Sequence, residues 1–142
     1  MGLKANPSDT LMLNNYAFCV ASLGDYASAE SALARVPAEV VDADGVLLAT
    51  KGLIEFRKGG IDVGRAFYNR AIDTFERAQL PKSVAIAAIF LAREELAADT
   101  EAALAAVEKA SKVASGRSEP EILRWLTVLK RASGLTRSRR VL

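Results

Sequence analysis

The chain has 142 residues, 51% of them apolar, with 19 Lys and Arg against 17 Asp and Glu and no histidine. That length can bury one domain core, and a net charge of +2 gives little overall drive towards nucleic acid or a membrane surface. The single cysteine, Cys19, excludes an internal disulfide and, without histidine, leaves no ordinary zinc ligand set.

A reducing compartment, the cytoplasm, is the simplest fit to that cysteine usage. The N-terminal MGLKANPSD lacks the charged-then-apolar pattern of a signal peptide, and no apolar run approaches the ~18 residues that span a bilayer. Charge is uneven along the chain. Residues 117–142 hold seven basic and two acidic side chains, so a mildly acidic body precedes a basic end.

Breakers at Pro7, Gly24, Pro37, Gly45, Gly59-Gly60, Pro81, Gly116, Pro120 and Gly134 divide the sequence into pieces of similar size. Between them the pattern is helical. Leu13, Tyr16, Ala17 and Val20 recur at i, i+3, i+4, i+7, as do Ile122, Trp125, Leu126 and Leu129. Ser8, Asp25 and Thr100 are start signals. Seven helices are predicted, over 8–23, 25–36, 43–58, 60–79, 81–97, 100–115 and 119–132. The first six pair into three hairpins. The seventh is a cap with Trp125 in its core, and the basic residues 133–142 are expected to be disordered.

Small residues recur in phase within the hairpins. Ala29, Leu33 and Val36 follow Gly24; Gly64, Tyr68 and Ala71 follow Gly59; Ala103, Val107 and Ala110 follow Ala98. Each set stands at +5, +9 and +12 from its turn position. Two antiparallel helices approach closely only where a small residue on one admits a large side chain from the other. Glycine in the left-handed conformation closes the first helix of each hairpin, and Asp25 can start the next by accepting a backbone N–H bond. A hairpin of this size cannot bury its apolar face alone, so the units are expected to stack.

On these residues the chain resembles the tetratricopeptide repeat (TPR) family, of a bacterial type. The first copy runs from Leu13 through Asn15, Tyr16, Ala17, Val20, Gly24, Asp25, Tyr26, Ala29 and Leu33 to Val36. The second runs from Leu48 through Gly52, Gly59, Ile61, Gly64, Tyr68 and Ala71 to Ile72, with Glu55 where the family prefers an aromatic. The third, Ala87, Phe90, Leu91, Ala98, Thr100, Ala103, Val107 and Ala110, lacks the turn glycine. The resemblance implies an all-α, right-handed superhelical solenoid of three hairpins (repeats about 8–37, 43–79 and 81–115) with a capping helix, one domain in all. Pro7 stands where the family often closes a preceding repeat, so the chain is expected to be a piece of a longer array.

The same resemblance places a peptide-binding concave face on the first helices. Its residues would be Leu11, Asn14, Asn15, Phe18 and Ser22, then Thr50, Leu53 and Arg57, then Ile89, Ala92 and Glu95. Asn15 is the expected anchor, because a side-chain amide both donates to and accepts from a peptide backbone. Asn14, Ala49 and Ala88 stand where some members grip a terminal carboxylate with cations, so capture of an acidic tail is not expected.

Catalysis is not expected. No histidine is present to act as a base, Cys19 sits in an apolar helix as a buried packing residue, and Glu94-Glu95 and Asp42-Ala43-Asp44 are read as a solvated edge and a loop. GLIEFRKGG lacks the Lys-Ser/Thr ending of a phosphate-binding loop. The expected function is a non-catalytic protein–protein interaction module, without cofactor or membrane, binding a peptide, a helix or another segment of the same protein. Two alternatives are nucleic-acid binding by Arg124, Lys130, Arg131, Arg137, Arg139 and Arg140, which lack interleaved aromatics, and self-association into a homo-oligomer.

Overall fold

The computed structural model describes the backbone of residues 7–141 and the side chains of residues 9–134. The described residues form eight α-helices and no strand: α1 (Pro7–Ser22), α2 (Tyr26–Ala34), α3 (Ala38–Asp42), α4 (Gly45–Arg57), α5 (Ile61–Arg77), α6 (Pro81–Ala97), α7 (Ala103–Val113) and α8 (Pro120–Val141). The all-α class is as expected. The chain forms two compact units, Met1–Thr74 and Phe75–Leu142.

In the first unit α1 and α2 form a hairpin, and α4 packs against both. The turn works as its sequence dictates. Gly24 takes φ +94°, and the Asp25 N–H reaches back to the Val20 carbonyl at 2.8 Å. Asp25 then starts α2 by accepting from the Ser28 N–H at 3.1 Å and the Ser28 hydroxyl at 2.6 Å. Those two bonds, the hydroxyl's first, hold its carboxyl below the usual aspartate range. The same turn recurs between α4 and α5, where Gly59 has φ +90° and the Gly60 N–H donates to the Glu55 carbonyl at 2.8 Å.

Helix α3 was not expected. Pro37 opens it, the Val41 N–H donates to the Pro37 carbonyl at 3.1 Å, and Val41 is buried. Asp44, read as a loop residue, caps α4 by accepting from the N–H groups of Val46 (2.9 Å) and Leu47 (3.3 Å).

All nine members of the phased pattern are buried: Ala29, Leu33 and Val36 in the first hairpin, Gly64, Tyr68 and Ala71 in the second, Ala103, Val107 and Ala110 in the third. Helices α4 and α5 approach closely. A Cβ on Gly52 would stand 2.6 Å from the Tyr68 ring, and one on Gly64 2.7 Å from the Phe56 ring. Glycine at both positions is what permits this crossing.

In the second unit α6 and α7 form the third hairpin, and α8 packs on both. The turn shifts by one residue. Ala98 stays right-handed at φ −85° and Asp99 takes the left-handed conformation at φ +51°, with the Thr100 N–H on the Glu95 carbonyl at 3.1 Å. Aspartate tolerates this region better than alanine; α7 then begins at Ala103 rather than at residue 100. The Thr100 hydroxyl donates to Glu95 Oε1 at 2.9 Å instead of capping α7.

Helix α8 continues to Val141, past residue 132 where the sequence reading ends it. Gly134 is the sole breaker in this stretch, and a single glycine costs a helix interior only about 1 kcal/mol. Ile122 and Leu129 are buried, while Trp125 is half-buried, edge-on to Phe90 at 5.2 Å between centroids. Lys82 on α6 reaches Glu121 on α8 at 2.8 Å. This contact raises the lysine above its ordinary value and lowers the glutamate below its own.

Candidate functional site

The residues expected on a concave binding face do not stay together at the surface. Leu11, Asn15, Ser22 and Arg57 are exposed and Phe18 is half-buried, but Asn14, Thr50 and Leu53 are buried. Asn14 and Thr50 meet at the α1–α4 contact, where the threonine hydroxyl donates to Asn14 Oδ1 at 2.6 Å. Packing between neighbouring first helices therefore takes these polar groups out of solvent. Ile89, Ala92 and Glu95 are buried in the second unit as well.

Two readings of polarity along the chain are corrected. Cys19 is exposed, because the buried seam of α1 is Asn14, Ala17 and Ala21, rotated away from it. Glu94 and Glu95 are buried rather than on a solvated edge: Arg93 Nε donates to Glu94 at 3.2 Å and Thr100 to Glu95. Charged groups removed from water need such partners. Among the described residues no group of three or more His, Cys, Asp or Glu is placed to hold a metal ion, and no helix is long and apolar enough to cross a membrane.

A groove of the first unit lies on another face of α1. It measures about 680 Å³ and runs between α1 and α2. Met12, Leu13 and Tyr16 of α1 form one wall, while Ala27, Ser28, Ser31 and Ala32 of α2 form a floor of small side chains. Because the helices are antiparallel, Asp9 and Arg35 both fall at the end remote from the Gly24 turn. Met12 is 68% exposed and Tyr16 51%, so the apolar wall faces solvent. Tyr16, grouped with Leu13, Ala17 and Val20 by helical spacing, lies outside the seam that Ala17 and Ala21 fill. The alternation of bulky wall and small floor was already present in the sequence, as Met12 and Tyr16 facing the spacing Ala27, Ser31.

A second hollow of about 470 Å³ in the same unit is lined by Leu33, Val36, Val41, Ile54 and Phe67, with Glu30, Lys51 and Glu55 at its edge. Its charges are largely satisfied from within. Lys58 pairs with Glu30 at 2.8 Å and lies 3.9 Å from Glu55, and these carboxylates, the hydrogen bond from Glu30 first, raise the lysine above its ordinary value. Lys51 and Arg70 stand 5.5 and 5.6 Å from the Phe67 ring, and Arg70 also pairs with Asp42 at 3.1 Å. The α1–α2 groove, by contrast, presents the exposed apolar side chains of Met12 and Tyr16 among the described residues.

Of the basic residues considered for nucleic acid, Arg124, Lys130 and Arg131 are exposed on α8. The side chains of Arg137, Arg139 and Arg140 lie outside the described residues. No family model, curated protein or solved structure matches the chain.

Proposed function

We propose that this chain is a non-catalytic interaction module, built as a right-handed stack of tetratricopeptide-like hairpins, that seats an amphipathic helix in the α1–α2 groove. The observation that carries the reading is the solvent-facing wall of Met12 and Tyr16 above the small floor of Ala27, Ser31 and Ala32. A floor without bulk lets a guest backbone come close, and a bulky wall supplies the area that is removed from water when it does. Helices seated in such grooves are read at i, i+3, i+4 and i+7. The site thus moves from the concave face expected by resemblance to the open flank of the first hairpin.

Selection of a displayed library of helical peptides against the immobilised protein tests this. Enrichment of sequences with apolar residues at helical spacing, lost with Met12→Glu and Tyr16→Asp, supports the reading. No enrichment, or enrichment that survives both substitutions, overturns it. Both residues are exposed, so the variants retain the far-ultraviolet dichroism of the parent.

A further inference from the structure

We infer that the helix seated in this groove is one arm of a partner's helical hairpin, packed on α1 and α2 as α1, α2 and α3 pack on α4 and α5; the inference rests on the groove reading above. The hairpins α1–α2 and α4–α5 share one backbone register, in which each residue of the first has its counterpart 35 positions later. The bonds at the two turns set it. The Asp25 N–H donates to the Val20 carbonyl at 2.8 Å and the Gly60 N–H to the Glu55 carbonyl at 2.8 Å, while Gly24 donates to Ala21 at 3.0 Å and Gly59 to Phe56 at 3.1 Å.

At matching positions the second hairpin is covered and the first is open. Thr50 is buried and donates to Asn14 of α1, whereas its counterpart Asn15 is exposed. Ile54 is buried and lines the second hollow with Leu33 and Val36 of α2, whereas its counterpart Cys19 is exposed. Arg70 pairs with Asp42 of α3 at 3.1 Å, and its counterpart Arg35 is exposed at the groove's end. Tyr16 and Ala32, wall and floor of the groove, stand where Lys51 and Phe67 stand in the hollow that Leu33, Val36 and Val41 also line. The open face of α1–α2 is thus the face on which α4–α5 receives α1, α2 and α3. These contacts also state the chemistry of the guest. A polar side chain midway along its first helix meets Asn15, which needs a partner once removed from water. Apolar side chains on its second helix cover Met12 and Tyr16, and a carboxylate beyond that helix pairs with Arg35. On α4–α5 these partners come from different helices, Asn14 from α1 and Asp42 from α3, so a hairpin supplies what a single helix does not.

A full chain in which residues 10–44 are duplicated in tandem tests the inference, because it offers α1, α2 and α3 as the guest at the register seen on α4–α5. Asp9 precedes the outer copy and Asp44 the inner one, so each has an aspartate before its first helix. Cys19→Ser in the outer copy leaves a single thiol, on the inner one. That thiol is expected to react with an aromatic disulfide reagent at least about tenfold more slowly than Cys19 of the undoubled chain, as the burial of Ile54 implies. Met12→Glu in the inner copy restores the fast rate, whereas the same substitution in the outer copy does not. An inner thiol that reacts as fast as in the undoubled chain overturns the inference, whether the added residues fold elsewhere or do not fold. Protection that survives Met12→Glu in the inner copy overturns it as well. If the inner thiol stays reactive while library peptides still enrich on the groove, the hairpin guest alone falls. If neither protection nor enrichment occurs, the groove reading falls with it.

Discussion

Gly52 and Gly64 stand back to back across the α4–α5 crossing: a Cβ built on either would lie about as close to the other's carbonyl oxygen, 3.0 Å from Gly52 and 2.9 Å from Gly64. The two are not equally tolerant of alanine. The other near atoms at Gly52 belong to the Tyr68 ring, whereas at Gly64 they include the Phe56 backbone nitrogen at 3.0 Å, which cannot turn aside. Alanine gains about 1 kcal/mol over glycine in a helix interior, and overpacking costs about 1–3 kcal/mol. Gly64→Ala is therefore expected to lower the urea midpoint, and Gly52→Ala to do so less. Gly59→Ala meets no atom within 4 Å yet is destabilising through its φ of +90°, by about 1–2 kcal/mol.

Thr50 and Asn14 supply a second measurement. Thr50→Val keeps the shape but leaves Asn14 Oδ1, at a site only 6% exposed, without the donor that stands 2.6 Å away. An unsatisfied buried acceptor costs about 1–3 kcal/mol, whereas replacing both partners by apolar groups is closer to neutral. In a double-mutant cycle of Thr50→Val and Asn14→Leu, the pair is expected to be less destabilised than the sum of the singles, by about 0.5–3 kcal/mol. Additive urea unfolding energies count against the bond.

What the sequence made legible is the part governed by local chemistry. The Gly24 and Gly59 turns, the Asp25 cap and the burial of all nine phased positions follow from residue type and spacing alone. What it hid depends on contacts between helices distant in sequence. Asn14 is polar and Thr50 is polar, and nothing local says that two polar residues 36 positions apart satisfy each other out of solvent. Glu94 and Glu95 are concealed for the same reason. The shifted third turn was in principle visible: Asp99, next to Ala98, is the residue better suited to the left-handed conformation. The α1–α2 groove was missed because Tyr16 was grouped with Leu13, Ala17 and Val20 by apolar spacing, which does not distinguish a wall from a core.

Cys19 distinguishes the two descriptions of α1 directly. As a buried packing residue it would react with a thiol reagent only on unfolding; as an exposed residue it reacts in the native state. The expected outcome is one thiol titrated per chain by an aromatic disulfide reagent, at a rate close to that of the denatured chain. A native rate slowed to that of global unfolding would place the thiol inside and rotate the helix back.

The Lys82–Glu121 contact adds a pH-dependent contribution to the packing of α8 on α6. Glu121 is lowered from 4.5, chiefly by the hydrogen bond from Lys82, and Lys82 is raised from 10.5 by the same bond. For the lowered carboxyl, the stabilisation is present above the unfolded value and is lost as pH falls through the folded one. For the raised amine, it is present below 10.5 and is lost as pH rises through the higher folded value. The pair thus contributes across the whole neutral range, and its loss lies at the acidic and alkaline extremes. Glu121→Gln is expected to lower the melting temperature by a constant amount between those limits, with the difference from wild type vanishing in acid as the wild-type carboxylate is protonated. Because both groups face solvent, added salt shrinks the difference at neutral pH. A variant whose deficit is unchanged in strong acid would assign the loss to the altered side chain's packing, and α8 would then be held by Ile122 and Leu129 without help from the ion pair.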